Sequence, residues 1–514
     1  MPFVSGHLDN LLSQLVGGDT ILQELDAEQL HWLDDAPDSE IEDLLRRLTE
    51  CEPPDIAQTN LASVFRHLVY RLQPWRQGEQ RKLPASMMPL VVQLYERLGR
   101  QTIARAYLLQ MLSSSAGHEE LVAFVDLIVN DPPSDGPGVL LSFGPLFQHT
   151  GYDPRSLFPQ LLDAIAHPTV AASVIDLANY LTRQGLLAVH PGTERKQQLM
   201  DLLGAIVQRL GQIEEAPDDF ADSREALIQQ IDESVALGVA LCDSLALIGD
   251  KEAISKLYQA FEIRHRRLHT EAAAALARFE EETGRKALIA LAAEPVARLR
   301  VLAYAEELDL SDEIDEQFRT PAARAESELT LWLAQPSQMG IPPTQLELID
   351  SRNQYWPGYD EPIDCFLLRF TYQVGESQYS NIGIAGPATH AFAADLQDLP
   401  PGDIYAAFAG WQAEHEDIYE LDVNELTEQQ RVDVSKLERR LRDDHFDAIQ
   451  PMTLGVFLGD KVLVARATRE GHSGIAVTDG HESLWFANRN PERPIRSPEA
   501  ICIYKGRRLL RSFN

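Results

Sequence analysis

Helices that end at a proline and are followed at once by another helix dominate the first two thirds of the chain. Across residues 1–335, apolar side chains recur at three- and four-residue spacing between clusters of proline, glycine or aspartate. In Leu288–Pro295 an apolar run reaches a proline, and Leu299 and Leu302 continue the helical spacing beyond it. Because proline is favourable at the first position of a helix, this pattern predicts that a second helix begins where the first one stops.

The same pattern of helix, proline and helix occurs elsewhere in this part of the chain. Leu161–Pro168 is an apolar run that ends in His-Pro, and helical spacing follows as far as Leu181. Ala246–Ile254 matches a stretch of Ala275–Leu288 about thirty residues later, a length typical of repeats that stack as helical pairs. The sequence therefore predicts an all-α array of stacked helix pairs over residues 1–335, with a non-repetitive helical bundle as the alternative.

Three stretches carry a resemblance to a known repeat family. They are His269–Leu276, Gly284–Pro295 and Arg298–Ala303, where alanines lie at the predicted contact between paired helices. Together they resemble the HEAT-like family, including the short repeats found in phycobilin lyases, and the resemblance covers residues 155–310. It implies a helical solenoid that binds protein partners, and in the lyase-type members a bound tetrapyrrole. No motif in the sequence itself predicts a cofactor.

A proline-rich connector over residues 336–350 ends the helical pattern. The stretch 335–343 contains three prolines and a glycine, which do not continue a helix. Beyond it, residues 351–514 predict an α+β domain of no recognised family. Cys365–Tyr372 and Tyr379–Ile384 are typical of strands, and helical spacing returns over His390–His415 and Glu425–Asp443.

Three pairs of apolar runs near the end of the chain predict β-hairpins. Their turn residues are Gly459-Asp460, Asp479-Gly480 and Lys505-Gly506, of which Asp-Gly is the strongest hairpin signal. The last pair consists of Ala500–Tyr504 and Leu509–Phe513. Three successive hairpins predict an antiparallel sheet with helices packed on it.

The charge of the chain restricts its partners. It carries 45 basic and 79 acidic residues, a formal net charge of -34, and acidic residues are in excess in both predicted domains. A surface of that sign repels the phosphate backbone that dominates nucleic-acid affinity, so nucleic acid is disfavoured and basic segments of proteins are favoured as partners.

The cysteines and the apolar segments bear on where the chain is found. Cys51, Cys242, Cys365 and Cys502 are widely spaced and form no C-x-x-C pair, so we expect reduced, buried thiols in a cytoplasmic protein. The first residues lack the basic and apolar regions of a secretory signal, and no apolar run approaches the length of a membrane helix. We therefore expect no membrane span.

A glycine-containing turn is one candidate ligand site. Gly383 and Gly386 lie in a predicted strand-to-helix turn, and Thr389 lies where we expect the next helix to begin. Backbone N–H groups in such a turn can bind an anion. The alternative is a tight turn with Thr389 as a helix cap, since neither dinucleotide-binding nor P-loop motifs are present.

Histidines and carboxylates near this turn are candidates for acid-base chemistry. Glu414, His415 and Glu416 lie on a predicted helix, and His390 lies one element earlier. Catalysis would require these groups to meet, whereas the alternative is a half-buried structural histidine. With no H-E-x-x-H motif, no metal site is predicted. Ser380, with His390 and Asp395, supplies the residue types of a hydrolase triad without its nucleophile motif.

Two further segments have both a binding and a structural interpretation. The loop with Trp356, Tyr359 and Asp360 could bind a cationic ligand or peptide, or its aromatic side chains could pack between the two domains. Seven basic residues near the end of the chain could bind phosphate or RNA, or pair with the protein's own carboxylates: Arg489, Arg493, Arg496, Lys505, Arg507, Arg508 and Arg511.

The absence of a strong catalytic motif favours an interaction protein. The leading hypothesis is a non-enzymatic scaffold or adaptor that binds protein partners through an acidic helical solenoid, with the α+β domain as a cap or second binding module. The alternative is an enzyme or small-ligand module with a site around Gly383, Gly386, His390 and His415.

Overall fold

The computed structural model forms two compact units, Met1–Leu288 and Ile289–Asn514. It describes residues 5–16, 25, 27–51, 58–72, 82–149, 151–217, 220 and 223–513. The first unit is all-α, and the second contains two antiparallel sheets with helices. This is the predicted combination of a helical solenoid with an α+β domain.

Fifteen helices begin in the described part of the first unit. They are α1 (Ser5–Val16), α2 (Ala27–Leu30), α3 (Trp32–Asp35), α4 (Asp38–Glu50), α5 (Gln58–Leu72), α6 (Met88–Arg97), α7 (Ala104–Ser115), α8 (His118–Asn130), α9 (Gly136–Gln148), α10 (Pro168–Arg183), α11 (Lys196–Glu215), α12 (Arg224–Ile248), α13 (Ile254–Phe261), α14 (Arg266–Arg278) and α15 (Glu282–Leu291). Short 3-10 helices lie at Pro154–Ser156, Gln160–Ala166, Thr193–Arg195 and Lys251–Ala253.

The helices of the first unit stack in two layers. In one layer α4 packs on α6 and α6 on α8, and in the other α5 packs on α7 and α7 on α9. The arrangement continues with α10 on α12, α12 on α14, and α11 on α13. Contacts with the neighbouring helix and the second neighbour are the pattern of a solenoid, in which each repeat buries its apolar face against the next.

Polar contacts between successive pairs repeat at similar sequence separations. The Tyr95 hydroxyl donates to the Asp131 carbonyl oxygen over 2.5 Å, 36 residues away. His167 Nε2 lies 2.8 Å from the Val129 carbonyl oxygen, 38 residues away. Each contact satisfies a polar group between adjacent pairs, which gives the stack a defined register.

A buried polar cluster joins α10, α12 and the loop before α11. Asn179 Nδ2 donates to the Ala240 carbonyl oxygen, and the Ser244 hydroxyl donates to Asn179 Oδ1 over 2.7 Å. His190 Nε2 lies 3.0 Å from the same Asn179 oxygen, and the Gly192 backbone N–H donates to His190 Nδ1. Burial lowers the pKa of His190 to about 4. The cluster is enclosed and holds a neutral imidazole between the helices.

The helix boundaries follow the predicted signals. Pro168 is the first residue of α10 and Pro295 the first residue of α16. The side chain of Ser223 accepts from the Ala226 N–H at the start of α12, and Gly249 ends that helix in the left-handed conformation. The apolar run before Pro168 forms a 3-10 helix, whereas the equivalent run before Pro295 forms α15.

Five further helices and nine strands lie in the described residues of the second unit, 289–513. The helices are α16 (Pro295–Glu307), α17 (Pro321–Leu333), α18 (Pro401–Gln412), α19 (Glu428–Asp443) and α20 (Ser497–Phe513). The strands are β1 (Gln345–Gln354), β2 (Ile363–Val374), β3 (Ser377–Ala385), β4 (His390–Ala391), β5 (Ile418–Asp422), β6 (Asp447–Phe457), β7 (Asp460–Arg469), β8 (His472–Thr478) and β9 (Ser483–Ala487). Short 3-10 helices lie at Ser311–Glu313, Glu316–Phe318 and Val423–Glu425.

The two sheets and helices α17 to α20 form five layers. The first sheet has the order β1-β2-β3-β4 and the second has the order β5-β6-β7-β8-β9. Helices α18 and α20 pack between the inner faces of the two sheets, in a core that includes Leu367, Phe408, Val464 and Ile503. Helix α17 covers the outer face of the first sheet, and α19 covers the outer face of the second.

The order of elements shows an internal repeat that sequence inspection missed. A helix, four strands and a helix (α17, β1 to β4, α18) are followed by the same series (α19, β6 to β9, α20). The register supports the match, because a β-bulge interrupts the first strand pair of each series at matching positions, Ile349 in the first and Met452 in the second. The second series has a further irregularity between Asp447 and Gln450. Both bulged residues contact the shared core.

The two repeats meet through reciprocal glycine contacts between α18 and α20. A Cβ on Gly410 would lie 1.9 Å from the Cys502 carbonyl oxygen, and a Cβ on Gly506 would lie 1.8 Å from that of Ala406. Each helix therefore has a small residue followed by glycine four positions later, and each glycine contacts the backbone of the other helix. Only glycine permits so close an approach.

This contact explains why the third predicted hairpin is wrong. Ala500–Tyr504 and Leu509–Phe513 both belong to α20, and Lys505-Gly506 is a helical contact position instead of a turn. The run is apolar on several faces because α20 lies between two sheets and α18. The other two hairpins are present as β6–β7 and β8–β9, with Gly459 and Gly480 at positive φ.

Three other sequence expectations differ from the structure. The second compact unit begins at Ile289 instead of after residues 336–350, since α17 packs on the first sheet, and β1 already begins at Gln345. The helix expected from His390 begins only at Pro401. All four cysteines are free thiols, but Cys51 is partly exposed.

Candidate functional site

His390 lies in an aromatic cluster of the second unit. It belongs to the edge strand β4, and its ring stacks on that of Trp411, with centroids 3.9 Å apart and an interplanar angle of 11°. Trp332, Phe392 and Phe408 surround it at ring-centroid distances of 5.1 to 6.2 Å. Burial lowers the pKa of His390 to about 4. The imidazole is therefore neutral at physiological pH and packs as an aromatic ring.

The other predicted acid-base residues lie apart from His390. Glu414, His415 and Glu416 form an exposed segment after α18 and are not helical, because α18 ends at Gln412. His415 Nδ1 accepts a hydrogen bond from the Asp417 backbone N–H. The structure thus brings none of the three side chains into contact with His390 among the described interactions.

The two predicted glycines allow close packing. The turn joins β3 to β4, so it is a strand-to-strand connection and Thr389 caps no helix. A Cβ on Gly383 would meet the side chain of Leu329 on α17 at 2.8 Å. Gly386 has a φ of 109°, and a Cβ there would lie 2.2 Å from the Asp364 carbonyl oxygen.

The aromatic loop contributes one core residue and one residue of the turn. Trp356 is 3% exposed, and its indole N–H donates to Gln412 Oε1 over 2.8 Å. The Tyr359 hydroxyl donates to the Pro387 carbonyl oxygen over 3.0 Å, which ties the loop to the glycine turn. Asp360 is exposed beside it. The described contacts of these residues stay within the second unit.

A groove of about 440 Å³ lies between the β4–α18 and β9–α20 connections, where the two repeats meet. Four arginines and four carboxylates line it: Arg469, Arg489, Arg493 and Arg507 with Asp395, Asp398, Asp403 and Glu482. Both Arg507 Nε and Nη2 donate to the Asp403 carboxylate over 2.8 Å. Asn490 Nδ2 donates to Asp395 Oδ2, and none of the described hydrogen bonds joins Asp395 to Ser380 or His390. The groove largely neutralises its own charge.

Much of the basic segment at the end of the chain pairs with carboxylates of the same unit. Lys505 binds Glu420, Arg508 binds Asp460, and Arg511 lies 3.5 Å from Glu482. Arg493 stacks on Tyr379 with its guanidinium carbon 4.1 Å from the ring centroid. Arg489 and Arg496 remain exposed.

The first unit has a division of charge that was not predicted. Helices α4, α6 and α8, which we call the acidic layer, carry nine acidic and three basic residues. Helices α5, α7 and α9 of the other layer carry three basic residues and none that is acidic. The signal is present in the sequence as an alternation of charge between successive helices.

Some carboxylates of the acidic layer already form ion pairs within their own helix. Glu42 and Asp43 bind Arg46 and Arg47 on the same helix. Glu50, Glu96, Glu119 and Asp126 are exposed along the layer. Val122, which is 40% exposed, lies between Glu119 and Asp126 on one face of α8. The layer therefore offers separated carboxylates with an apolar contact among them.

Comparison with known proteins detects no matching family model, no similar curated protein and no similar solved structure. The resemblance to HEAT-like repeats therefore stays a prediction. Within the described residues, no group of three or more His, Cys, Asp or Glu side chains is arranged to hold a metal ion. Over the same part of the chain, no helix has the length and apolar character needed to cross a bilayer.

Proposed function

We propose that the chain is a non-enzymatic adaptor of the cytoplasm that binds a basic segment of a partner protein on the acidic layer of its solenoid. The observation that carries this proposal is the separation of charge between the two layers, with nine acidic and three basic residues on α4, α6 and α8. We also propose that the stacked helix pairs of the first unit are HEAT-like repeats. The second unit serves as a cap or a second binding module.

The stacking of the helices supports an extended partner. Consecutive pairs place α4, α6 and α8 side by side, so their exposed residues form one surface. Glu50, Glu96, Glu119 and Asp126 each come from a different turn or helix of that surface. A segment with several lysines or arginines would meet several carboxylates in succession, and the exposed Val122 would contact an apolar side chain between them.

The strength of such binding depends on salt. Each exposed ion pair contributes about 0.2 to 1 kcal/mol, so only several pairs together give useful affinity. The attraction is screened over a Debye length of about 8 Å at physiological ionic strength. We therefore expect fast association that weakens as salt increases.

The test uses a fluorescent lysine- and arginine-rich peptide and the full-length chain. The variant Glu50→Gln/Glu96→Gln/Glu119→Gln/Asp126→Asn removes four negative charges from the acidic layer. Fluorescence anisotropy should show an affinity about tenfold lower, because each exposed pair contributes a fraction of a kcal/mol.

A matched variant removes four exposed carboxylates from α11 and α12 of the same unit: Asp201→Asn/Glu215→Gln/Glu225→Gln/Glu233→Gln. It changes the net charge equally, so general attraction to an acidic protein falls by the same amount. Affinity within twofold of wild type in this variant supports a site on the acidic layer. Equal weakening by both variants contradicts it.

The alternative of an enzymatic or ligand site around the predicted glycines gains no support from the placement of its residues. Gly383 and Gly386 are positions of close packing, His390 is half-buried and stacks on Trp411, and His415 lies on an exposed loop. None of them lines the described groove between the repeats.

A further inference from the structure

A second cavity of the α+β unit lies on the inner side of the second sheet. Its volume is about 510 Å³, and the β9–α20 connection covers it. Ile475, Phe486 and Ile495 form part of an apolar wall, whereas Arg466, Asn488 and Arg496 supply polar groups. Pockets of 300 to 1,000 Å³ with an apolar wall and a few convergent polar groups are typical of small-molecule sites.

The charge of this cavity differs from that of the neighbouring groove. Two arginines line the cavity, and none of its described lining residues is acidic. The groove, in contrast, is lined by four arginines and four carboxylates. In a chain with 79 acidic and 45 basic residues, a cavity whose charged lining residues are all basic is unexpected. Its positive charge is available to a ligand.

The internal repeat supplies a direct comparison for Arg466. In the first repeat Arg369 of β2 lies opposite Glu347 of β1, and the two form an ion pair at 2.8 Å. In the second repeat Arg466 of β7 lies opposite Gln450 of β6 at the equivalent register position. Residues directly opposite in an antiparallel pair share a face and are close in space. The second repeat thus has an amide where the first has the carboxylate partner.

The carboxylate nearest to Arg496 in sequence binds the main chain of that residue. Glu499 is 8% exposed, and its Oε2 accepts the backbone N–H of Arg496 over 2.9 Å. This bond uses the main chain of Arg496, and the exposed Arg496 is among the residues that line the cavity.

We infer that this cavity binds a small organic anion that combines an acidic head group, such as a carboxylate or a phosphate, with an apolar or aromatic body. The guanidinium groups of Arg466 and Arg496 bind the head group through charge-assisted hydrogen bonds. The apolar body packs on Ile475, Phe486 and Ile495. Both parts are needed, since an exposed charge pair alone contributes little.

The experiment measures binding of anilinonaphthalene sulfonate, an aromatic anion whose fluorescence rises in an apolar site, to the full-length chain. We expect one site per chain. Arg466→Gln and Arg496→Gln should each weaken binding about tenfold, the typical effect of losing a charge-assisted hydrogen bond. Gln450→Glu should also weaken it, because it restores the carboxylate of the first repeat without removing an arginine.

Arg489→Gln is the matched control, since Arg489 is exposed and lines the groove instead of the cavity. It should change the affinity by less than about twofold, within the effect of an exposed charge.

The neutral probe N-phenyl-naphthylamine should bind the wild type and the Arg466→Gln variant equally. Inorganic phosphate should displace the anionic probe only at high concentration. Wild-type affinity in the Arg466→Gln, Arg496→Gln and Gln450→Glu variants, or equal weakening by Arg489→Gln, would overturn the inference. Circular dichroism checks that each variant is folded.

Discussion

The two units of this chain are held together in different ways. In the first unit, helix pairs are connected by many contacts between residues 36 to 38 positions apart, such as Tyr95 with Asp131 and His167 with Val129. In the second unit, two repeats share one core, and α18 and α20 meet at Gly410 and Gly506. The comparison indicates that a destabilising substitution in the solenoid weakens the packing of the adjacent helix pairs. A destabilising substitution where α18 crosses α20 weakens the packing of both repeats.

The largest expected effect comes from Gly410→Ala, which tests the shared core. The added Cβ would lie 1.9 Å from a backbone oxygen that no side-chain rotation can move. We expect a loss of more than about 4 kcal/mol in the unfolding free energy of the second unit. Urea unfolding followed by tryptophan fluorescence measures it, because four of the six tryptophans lie in residues 289–514.

Gly402→Ala on the same helix is the control for this substitution. Gly402 has no heavy atom closer than 4.0 Å to an added Cβ, so alanine should be neutral or slightly stabilising there. If both variants shift the fluorescence transition by the same amount, the close contact between α18 and α20 does not stabilise the unit. A comparable shift of the circular dichroism signal of the solenoid by Gly410→Ala would contradict the contrast between the units.

A smaller effect concerns the pH dependence of the solenoid. The pKa of His190 is about 4 in the folded protein and about 6.5 in an unfolded chain. Between these values the unfolded chain binds a proton that the native protein does not, so the unfolding free energy falls as pH drops from 6.5 to 4. The loss reaches about 3 kcal/mol, and above pH 6.5 the contribution is fully present.

His190→Gln should remove much of this dependence from the far-ultraviolet circular dichroism transition, which is dominated by the solenoid. His390 has a lowered pKa for the same reason, burial, so His390→Gln should instead flatten the pH dependence of the tryptophan fluorescence transition. The quantity to compare is the slope of the unfolding free energy against pH, since either substitution also changes the unfolding free energy at every pH. An unchanged slope after His190→Gln would show that its imidazole is not neutral and buried.

The smallest expected effect is that of Arg155→Ala. Arg155 forms an ion pair with Asp153, two residues away, and 85% of its side chain is exposed. Local exposed pairs contribute little, so the urea midpoint of either transition should not change measurably. A clear shift would mean that surface ion pairs stabilise the solenoid together with its buried contacts.

Elements with strong local signals could be predicted from the sequence. Prolines such as Pro168 and Pro295 mark helix starts, and the hairpin at Asp479-Gly480 follows from its turn residues. The strand-like run Cys365–Tyr372 predicts a strand, which the structure has as Ile363–Val374. In each case, neighbouring residues alone determine the structure.

Elements whose environment is set by distant residues were missed. Ala500–Tyr504 suggests a strand because it is continuously apolar, but it is a helix buried on several sides, and short apolar runs do not distinguish the two. Helical spacing predicts a helix from His390, yet its two-residue strand exists only because β3 supplies the partner. The acidic layer depends on the stacking of α4, α6 and α8, which no single helix reveals.

The tandem arrangement of the repeats allows the two halves of the α+β unit to differ. In a symmetric homodimer, one gene encodes both copies, so exchanging a glutamate for a glutamine would alter both halves at once. In this chain Glu347 and Gln450 occupy matching positions and are encoded separately. The first repeat can therefore retain its ion pair while the second repeat loses the carboxylate. Two repeats with the same order of elements can thus carry different side chains at matching positions.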